Sequence, residues 1–441
     1  MLQPGAAAAG TSLCGRGDVK KVIAAYLFLL LLLAPLRPLW LDELIELSDT
    51  YRLSLADTIG RVAHNPGGVP LVYLAENLIV NHLGRAFYTA HLFSILCAVV
   101  GLASFIWLDG LLEVPSGWLT AALIYAVLPV SLRYAVEARQ YGPALALSIL
   151  ATTLLFRPPN WPNAALYGLV LALGMYAQPY VAFVAVAHLL WSWRQVCCKF
   201  VLAGVALAAA LFLPWYLYAR GFWLHAVSEA GYQSTLNWKT PLMILRELSG
   251  GGYLLTLALV ALAICGYWYT SMAQSAKRLL LLWSIVPIPL VLAANALFHY
   301  FFAIRQLLFI VPPLCILAAE GLAALQKGWR PCVAAGLLLA ACVYDLRWFT
   351  NAKEDWSLSA TAAQNLVRPG SCALVIPDHA ADLYRLYQPD LPVCSGPSSG
   401  APSIVLVSPY ATAAERESAP GAPTFGPTFN LGGTEVRTSI P

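Results

Sequence analysis

Only 11% of the 441 residues are charged, so each ionisable group beside an apolar run is informative. Four groups stand out. Asp42 and Glu43 are adjacent acids directly after the first apolar run. A carboxylate so placed can accept a proton from an attacking hydroxyl, or it can simply favour the first turn of a solvated helix. The segment His64–Leu74 (HNPGGVPLVYL) breaks an amphipathic stretch with Pro66, Gly67, Gly68 and Pro70. It reads as a site loop or as a plain turn between two interfacial helices. The segment Arg133–Pro143 (RYAVEARQYGP) places Glu137 and Arg139 two apart. On a helix that spacing puts them on different faces, whereas in an irregular loop both can line a cavity. The segment His299–Leu314 carries Arg305 at the head of an apolar run, where it is a snorkelling anchor or a phosphate partner.

The elements that must hold these groups are membrane spans. With 59% hydrophobic residues and a mean hydropathy of +0.69, the chain has too few charges to cover a water-exposed surface. Apolar runs fall near 22–36, 87–107, 118–133, 143–157, 164–177, 179–193, 200–218, 252–270, 279–298, 306–325 and 331–344, about eleven spans in all. The fourteen Trp and twenty-one Tyr suit interfacial belts. The first run has no small-residue cleavage site after it, so it reads as an uncleaved span.

Orientation follows from basic residues in short loops. With the N-terminus inside, the cytoplasmic face receives Arg16, Lys20, Lys21, Arg157, Arg194, Lys199, Lys277, Arg278, Lys327 and Arg330. The opposite face then receives the long segments 38–86 and 219–250 and everything after Asp345. All four polar groups fall on that outer face, around one outward cavity. The expected organisation is a cytoplasmic tail (1–21), a transmembrane domain (22–344) whose first external loop (about 38–86) contains interfacial helices, and a small extracytoplasmic domain (345–441). In a Gram-negative host the outer face is the periplasm, and the chain spans the bacterial inner membrane many times.

The C-terminal region changes character. CALVIP and SIVLVSP read as short strands with DHAADLYRLYQ as a helix between them, giving a small α/β domain. The stretch SAPGAPTFGPTFNLGG reads as a loose tail. Cys372 and Cys394 flank the strand–helix unit in an oxidising compartment and form either a disulfide or two buried thiols. The net charge of +4 without long basic runs excludes nucleic acid as a partner. Nucleotide-binding and metalloprotease signatures are absent.

In combination and order, these motifs resemble the GT-C glycosyltransferase superfamily of protein O-mannosyltransferases and lipid A aminoarabinose transferases. Asp42-Glu43 stands where the family has its external acid pair. EARQYGPALAL (137–147) is similar to its EARxYxLL pattern, YAQPYVAFV (176–184) to YTHYxxxF, and RQLLFIVPPL (305–314) to RYLLPxLPxL. GRAFYTAHLFS (84–94) and KEDWSLSATAAQNLVRPGSCALVI (353–376) extend the match. Gln178 replaces a common His and His91 a common Arg.

The resemblance implies an inverting transfer of sugar from a polyprenyl-phosphate-linked donor to an extracytoplasmic hydroxyl on a lipid, polysaccharide or protein. Membrane lipids are the surrounding partners. Asp42 is the expected base, with Glu43 orienting a substrate or backbone group. Glu137 is expected to contact sugar hydroxyls or a divalent ion. Arg139 and Arg305, with Arg85 behind them, are the expected phosphate partners, and His64, Tyr141 and Gln178 the expected sugar contacts. No cofactor is required. A divalent metal is compatible with Glu43, Glu137, His64 and His299, although no spacing is diagnostic. Two other classes remain: a lipid-linked-sugar flippase, and a non-catalytic membrane partner.

Overall fold

The structure, a computed structural model, describes residues 16–84, 86–229, 236–298, 302–352, 354–394, 402–419 and 425–439. The chain divides into two compact units: Met1–Ala34 with Arg52–Arg347, and Pro35–Tyr51 with Trp348–Pro441. The first external loop is therefore shared out. Its opening segment joins the C-terminal part, and the remainder joins the membrane unit.

All eleven apolar runs are helical, and the chain is a polytopic α-helical membrane protein. Among the described residues, seven helices are long and apolar enough to cross a bilayer: Gly17–Leu36, Phe87–Leu111, Cys198–His225, Gly252–Tyr269, Gln274–Leu297, Ile304–Ala324 and Arg330–Thr350. Trp118–Val127 and Pro129–Val136, bent by 64°, make an eighth if taken as one broken span. The expected number of about eleven is not reached by this measure. Tyr141–Leu154 and Val181–Ser192 are apolar but short. At 1.5 Å per residue, a helix of 14 residues extends about 21 Å, short of a hydrocarbon core of about 30 Å. The remaining part of the segment expected as the first external loop holds two helices, Leu55–His64 and Pro70–Leu83, the first capped by Ser54 accepting from the Asp57 N–H.

The membrane unit is cored by Ala151, Leu171, Val181, Ala208 and Leu279, all fully buried or nearly so. Since lipid is as apolar as leucine, polar contacts help to specify such packing. His188, fully buried, joins three helices: its Nε2 pairs with the Thr152 hydroxyl at 3.0 Å and its Nδ1 with the Tyr167 hydroxyl at 3.0 Å. Thr152 also donates to the Ser148 carbonyl, 2.8 Å away.

One break matters most. The proline at 129 forces Leu128 out of the helical region (ψ 126°) and splits the span. After Val136 the chain leaves the helix, turns through Glu137–Gln140 and starts again at Tyr141. Pro143 falls in that first turn, where its missing N–H costs nothing. Gly142 lets the restarted helix pass close to the preceding one, since a Cβ there would stand 2.4 Å from the Tyr134 carbonyl oxygen.

The second unit holds a four-stranded sheet, β1 (Cys372–Ile376), β2 (Pro402–Val407), β3 (Phe425–Leu431) and β4 (Thr434–Ser439), in the order β1-β2-β4-β3. β1 and β2 are parallel, linked through the Ala381–Tyr387 helix as expected, and β4 runs antiparallel to both its neighbours. Leu374, Val405 and Val407 face one small core. Trp356 and Tyr384 pack with ring centroids 5.0 Å apart. Cys372 and Cys394 are joined by a disulfide. Of the stretch expected to be loose, residues 420–424 lie outside the described residues, and the part from Phe425 onward belongs to a hairpin. Its two-residue turn is Gly432-Gly433 with φ of 55° and 84°, the pair of positive values that a tight type I′ connection demands.

Replacing His188 with Leu takes the partner from the buried Tyr167 hydroxyl and leaves Thr152 with the Ser148 carbonyl alone. The expected loss is about 1–3 kcal/mol, read as a lower melting temperature of the detergent-solubilised protein. Gly142→Ala should destabilise by about 1–3 kcal/mol, although alanine ordinarily favours a helix; a melting temperature at or above that of the parent would refute the close-approach argument.

Candidate active site

The membrane unit gathers most of its expected residues at the break between Val136 and Tyr141. Here the backbone is not helical, and in a low-dielectric setting each freed group needs a partner. The Arg139 N–H donates to the Glu137 carbonyl at 2.8 Å, closing a tight turn. The Val136 carbonyl pairs with His91 Nδ1 at 2.6 Å, and the Arg139 carbonyl accepts from the Ser94 hydroxyl at 3.2 Å. His91, 5% exposed, is thus the anchor of the turn. With the ends of the turn held, Glu137 and Arg139 project from a fixed backbone and not from opposite faces of a helix. Glu137 is buried, and Arg139 is half-buried.

Arg305 comes from the 3₁₀ segment Ile304–Ile310, which feeds the Val311–Ala324 helix. Its guanidinium carbon lies 5.2 Å from the centre of the Tyr141 ring, a cation–π contact. Tyr141 in turn meets Tyr134 edge-on at 5.5 Å. The Tyr134 phenol is within electrostatic range of Glu137, Arg305, Tyr141 and Arg133, so these groups form one neighbourhood.

Gln178 joins through a chain of amides. It ends the Trp161–Ala177 helix, and its side-chain carbonyl accepts from the Tyr180 N–H at 2.8 Å. The Tyr180 hydroxyl donates to Asn295 Oδ1 (3.4 Å), and Asn295 Nδ2 donates to Gln306 Oε1 (2.8 Å), the residue after Arg305. Tyr180 also senses Tyr141 electrostatically. Gln178 is therefore a brace on this network.

His64 has other partners. It is exposed, its Nδ1 pairs with the Gly60 carbonyl at 2.7 Å, and its ring lies 4.1 Å from that of Phe222. Arg85 and His299 lie outside the described residues.

Tyr134, Tyr180, Asn295 and Gln306 were not among the expected site residues. Asn295, fully buried, and Gln306, 4% exposed, did carry a signal: a lone amide inside an apolar run needs a partner. The chain does not say which partner, because that depends on how the helices cross.

The acid pair lies in the second unit, in the first turn of the Leu41–Ser48 helix. Glu43 is 5% exposed, and its carboxylate accepts from the Trp40 N–H at 3.1 Å, so it holds a backbone group as well as a charge. Asp42, beside it, is half-buried. The Arg37 guanidinium lies 3.7 Å over the Trp348 ring and donates to the Trp348 carbonyl at 3.3 Å, tying the approach to the acid pair into this unit. Among the described residues, no three His, Cys, Asp or Glu side chains stand close enough to hold a metal ion.

No protein-family model matches the sequence, and no curated protein does. Solved structures do match. ArnT from Cupriavidus metallidurans bound to undecaprenyl phosphate aligns with a TM-score of 0.61 and 12% identity, covering 97% of this chain and 99% of that one. The same protein in the apo state gives 0.60 at 12% identity, covering 96% and 98%. The oligosaccharyltransferase of Archaeoglobus fulgidus in its apo form gives 0.51 at 10% identity, covering 86% of this chain and 65% of that one. The chain thus shares the fold of that ArnT over nearly its whole length.

Proposed function

We propose that this protein is an inner-membrane glycosyltransferase that moves a sugar from a polyprenyl-phosphate-linked donor to an extracytoplasmic hydroxyl, with inversion at C1. The observation that carries the reading is the cluster of Arg139, Arg305, Tyr141 and Glu137 at a satisfied helix break. A guanidinium resting on Tyr141 at a helix start, with a second Arg carried by the adjoining turn, suits a phosphate monoester or diester. The fold adds support, because the ArnT of the same fold was captured with undecaprenyl phosphate.

The chemistry needs few groups. The acceptor oxygen bonds to C1 of the sugar, and the bond from C1 to the phosphate oxygen breaks. The electron pair leaves with the lipid phosphate, whose charge Arg139 and Arg305 offset. The acceptor proton passes to Asp42, the assigned general base, while Glu43 keeps the first turn of that helix formed. Glu137 is assigned to sugar hydroxyls and Tyr141 to holding Arg305 over the phosphate. His64, Gln178 and Arg85 are assigned supporting contacts.

The donor is a lipid on physical grounds. Nucleotide sugars are cytosolic, whereas basic short loops assign the cluster to the opposite face, with the N-terminus cytoplasmic and the C-terminal domain extracytoplasmic. A lipid donor reaches such a site by lateral diffusion.

Asp42→Asn should lower transfer of radiolabel from a polyprenyl-phosphate sugar in native membranes by about 10²–10⁴-fold at normal protein abundance. Activity near that of the parent would remove Asp42 from the role. Arg305→Ala should weaken donor binding by roughly tenfold or more, seen as a raised KM for donor. A change confined to protein abundance would instead mark Arg305 as a membrane anchor.

A further inference from the structure

The Leu41–Ser48 helix carries the acid pair but has only eight residues, too few for a stable helix on its own. It belongs to the C-terminal unit and packs there against the Ala381–Tyr387 helix. At the end of that second helix, the Tyr387 phenol stands within electrostatic range of the Asp355 and Glu43 carboxylates. Burial foremost, then these two acids, raise the phenol well above the usual tyrosine range, and a phenol, protonated at neutral pH, can donate to a carboxylate.

Asp355 and the helix that carries Tyr387 are themselves held. Asp355 caps the Trp356–Leu366 helix by accepting from the Leu358 N–H at 2.9 Å, and its own N–H donates to the Gly432 carbonyl at 2.8 Å. The Ala381–Tyr387 helix lies inside the loop closed by Cys372–Cys394, a sequence separation of 22. The loop is pinned to β1 twice more. Ala373 N–H donates to the Pro392 carbonyl at 2.7 Å, and Cys394 N–H to the Ala373 carbonyl at 2.9 Å.

We propose that the C-terminal domain is the positioning device for the acid pair, with Tyr387, set by the disulfide-closed loop, orienting Glu43 and through it the helix turn that carries Asp42. The domain is then part of the catalytic apparatus without contributing a reacting atom. Its disulfide makes that apparatus dependent on an oxidising compartment. This rests on the assignment of Asp42 as base.

The test uses the full-length protein carrying Tyr387→Phe, or Cys372→Ser with Cys394→Ser, and Glu415→Ala as a control that removes a helix cap elsewhere in the domain. Hydrogen exchange of the Leu41–Ser48 amides should quicken in the first two and not in the control. Label transfer in native membranes should fall roughly tenfold, while binding of undecaprenyl phosphate to the purified protein stays unchanged. In a Glu43→Gln background, Tyr387→Phe should add no further loss, because both changes act on one electrostatic pairing. Unchanged exchange in Tyr387→Phe, or fully additive losses, would overturn the proposal. The two ideas fail separately: an active Asp42→Asn protein removes the base, whereas the exchange of the 41–48 amides reports positioning alone.

Discussion

Non-helical backbone within an apolar bundle must find partners for its freed N–H and C=O groups. The membrane unit depends on how this is met between Val136 and Tyr141. His91 takes the Val136 carbonyl, Ser94 donates to the Arg139 carbonyl, and the turn closes on itself from Arg139 to Glu137. With these bonds in place, a helix can stop and restart while two charged residues project from the gap. Arg305, arriving from a 3₁₀ segment, then has an aromatic face to rest on in Tyr141. Charge, aromatic ring and backbone are thus held in one arrangement by neighbours that carry no charge.

The same logic explains the amide chain behind the cluster. Gln178 and Tyr180 share the turn at 178–180, Asn295 lies in the Pro287–Leu297 helix and Gln306 in the 3₁₀ segment, and each satisfies a polar group of the next. Such a chain has few alternative pairings in apolar surroundings, so it specifies helix placement as well as stability. It also accounts for a glutamine at 178. The position calls for an acceptor at a helix end, and an amide serves that purpose.

The second unit reaches order by different means. A small domain has little core, and here a disulfide, a parallel strand pair and a two-glycine hairpin do what a larger core would do elsewhere. Its membership is unexpected from chain order, since Pro35–Tyr51 joins a segment that begins only at Trp348. The bond from Arg37 to the Trp348 carbonyl, 311 residues apart, is the plainest sign of it.

The sequence by itself determined the membrane class, because 11% charged residues cannot solvate a chain of 441. It also located each apolar helix, the two strands of the parallel pair and the residues worth watching, since these depend on local composition and period. It did not fix how many of the eleven runs cross the bilayer, because apolar composition does not report where a turn ends a helix. It read the last segment as loose, because the Gly432-Gly433 turn pairs strands that look weak singly. Only the tertiary structure decided that Glu137, Arg139, Tyr141 and Arg305 share one neighbourhood, that His64 pairs elsewhere, and that the acid pair rides with the C-terminal domain. Those facts depend on helix crossings and long-range contacts, which local pattern does not encode.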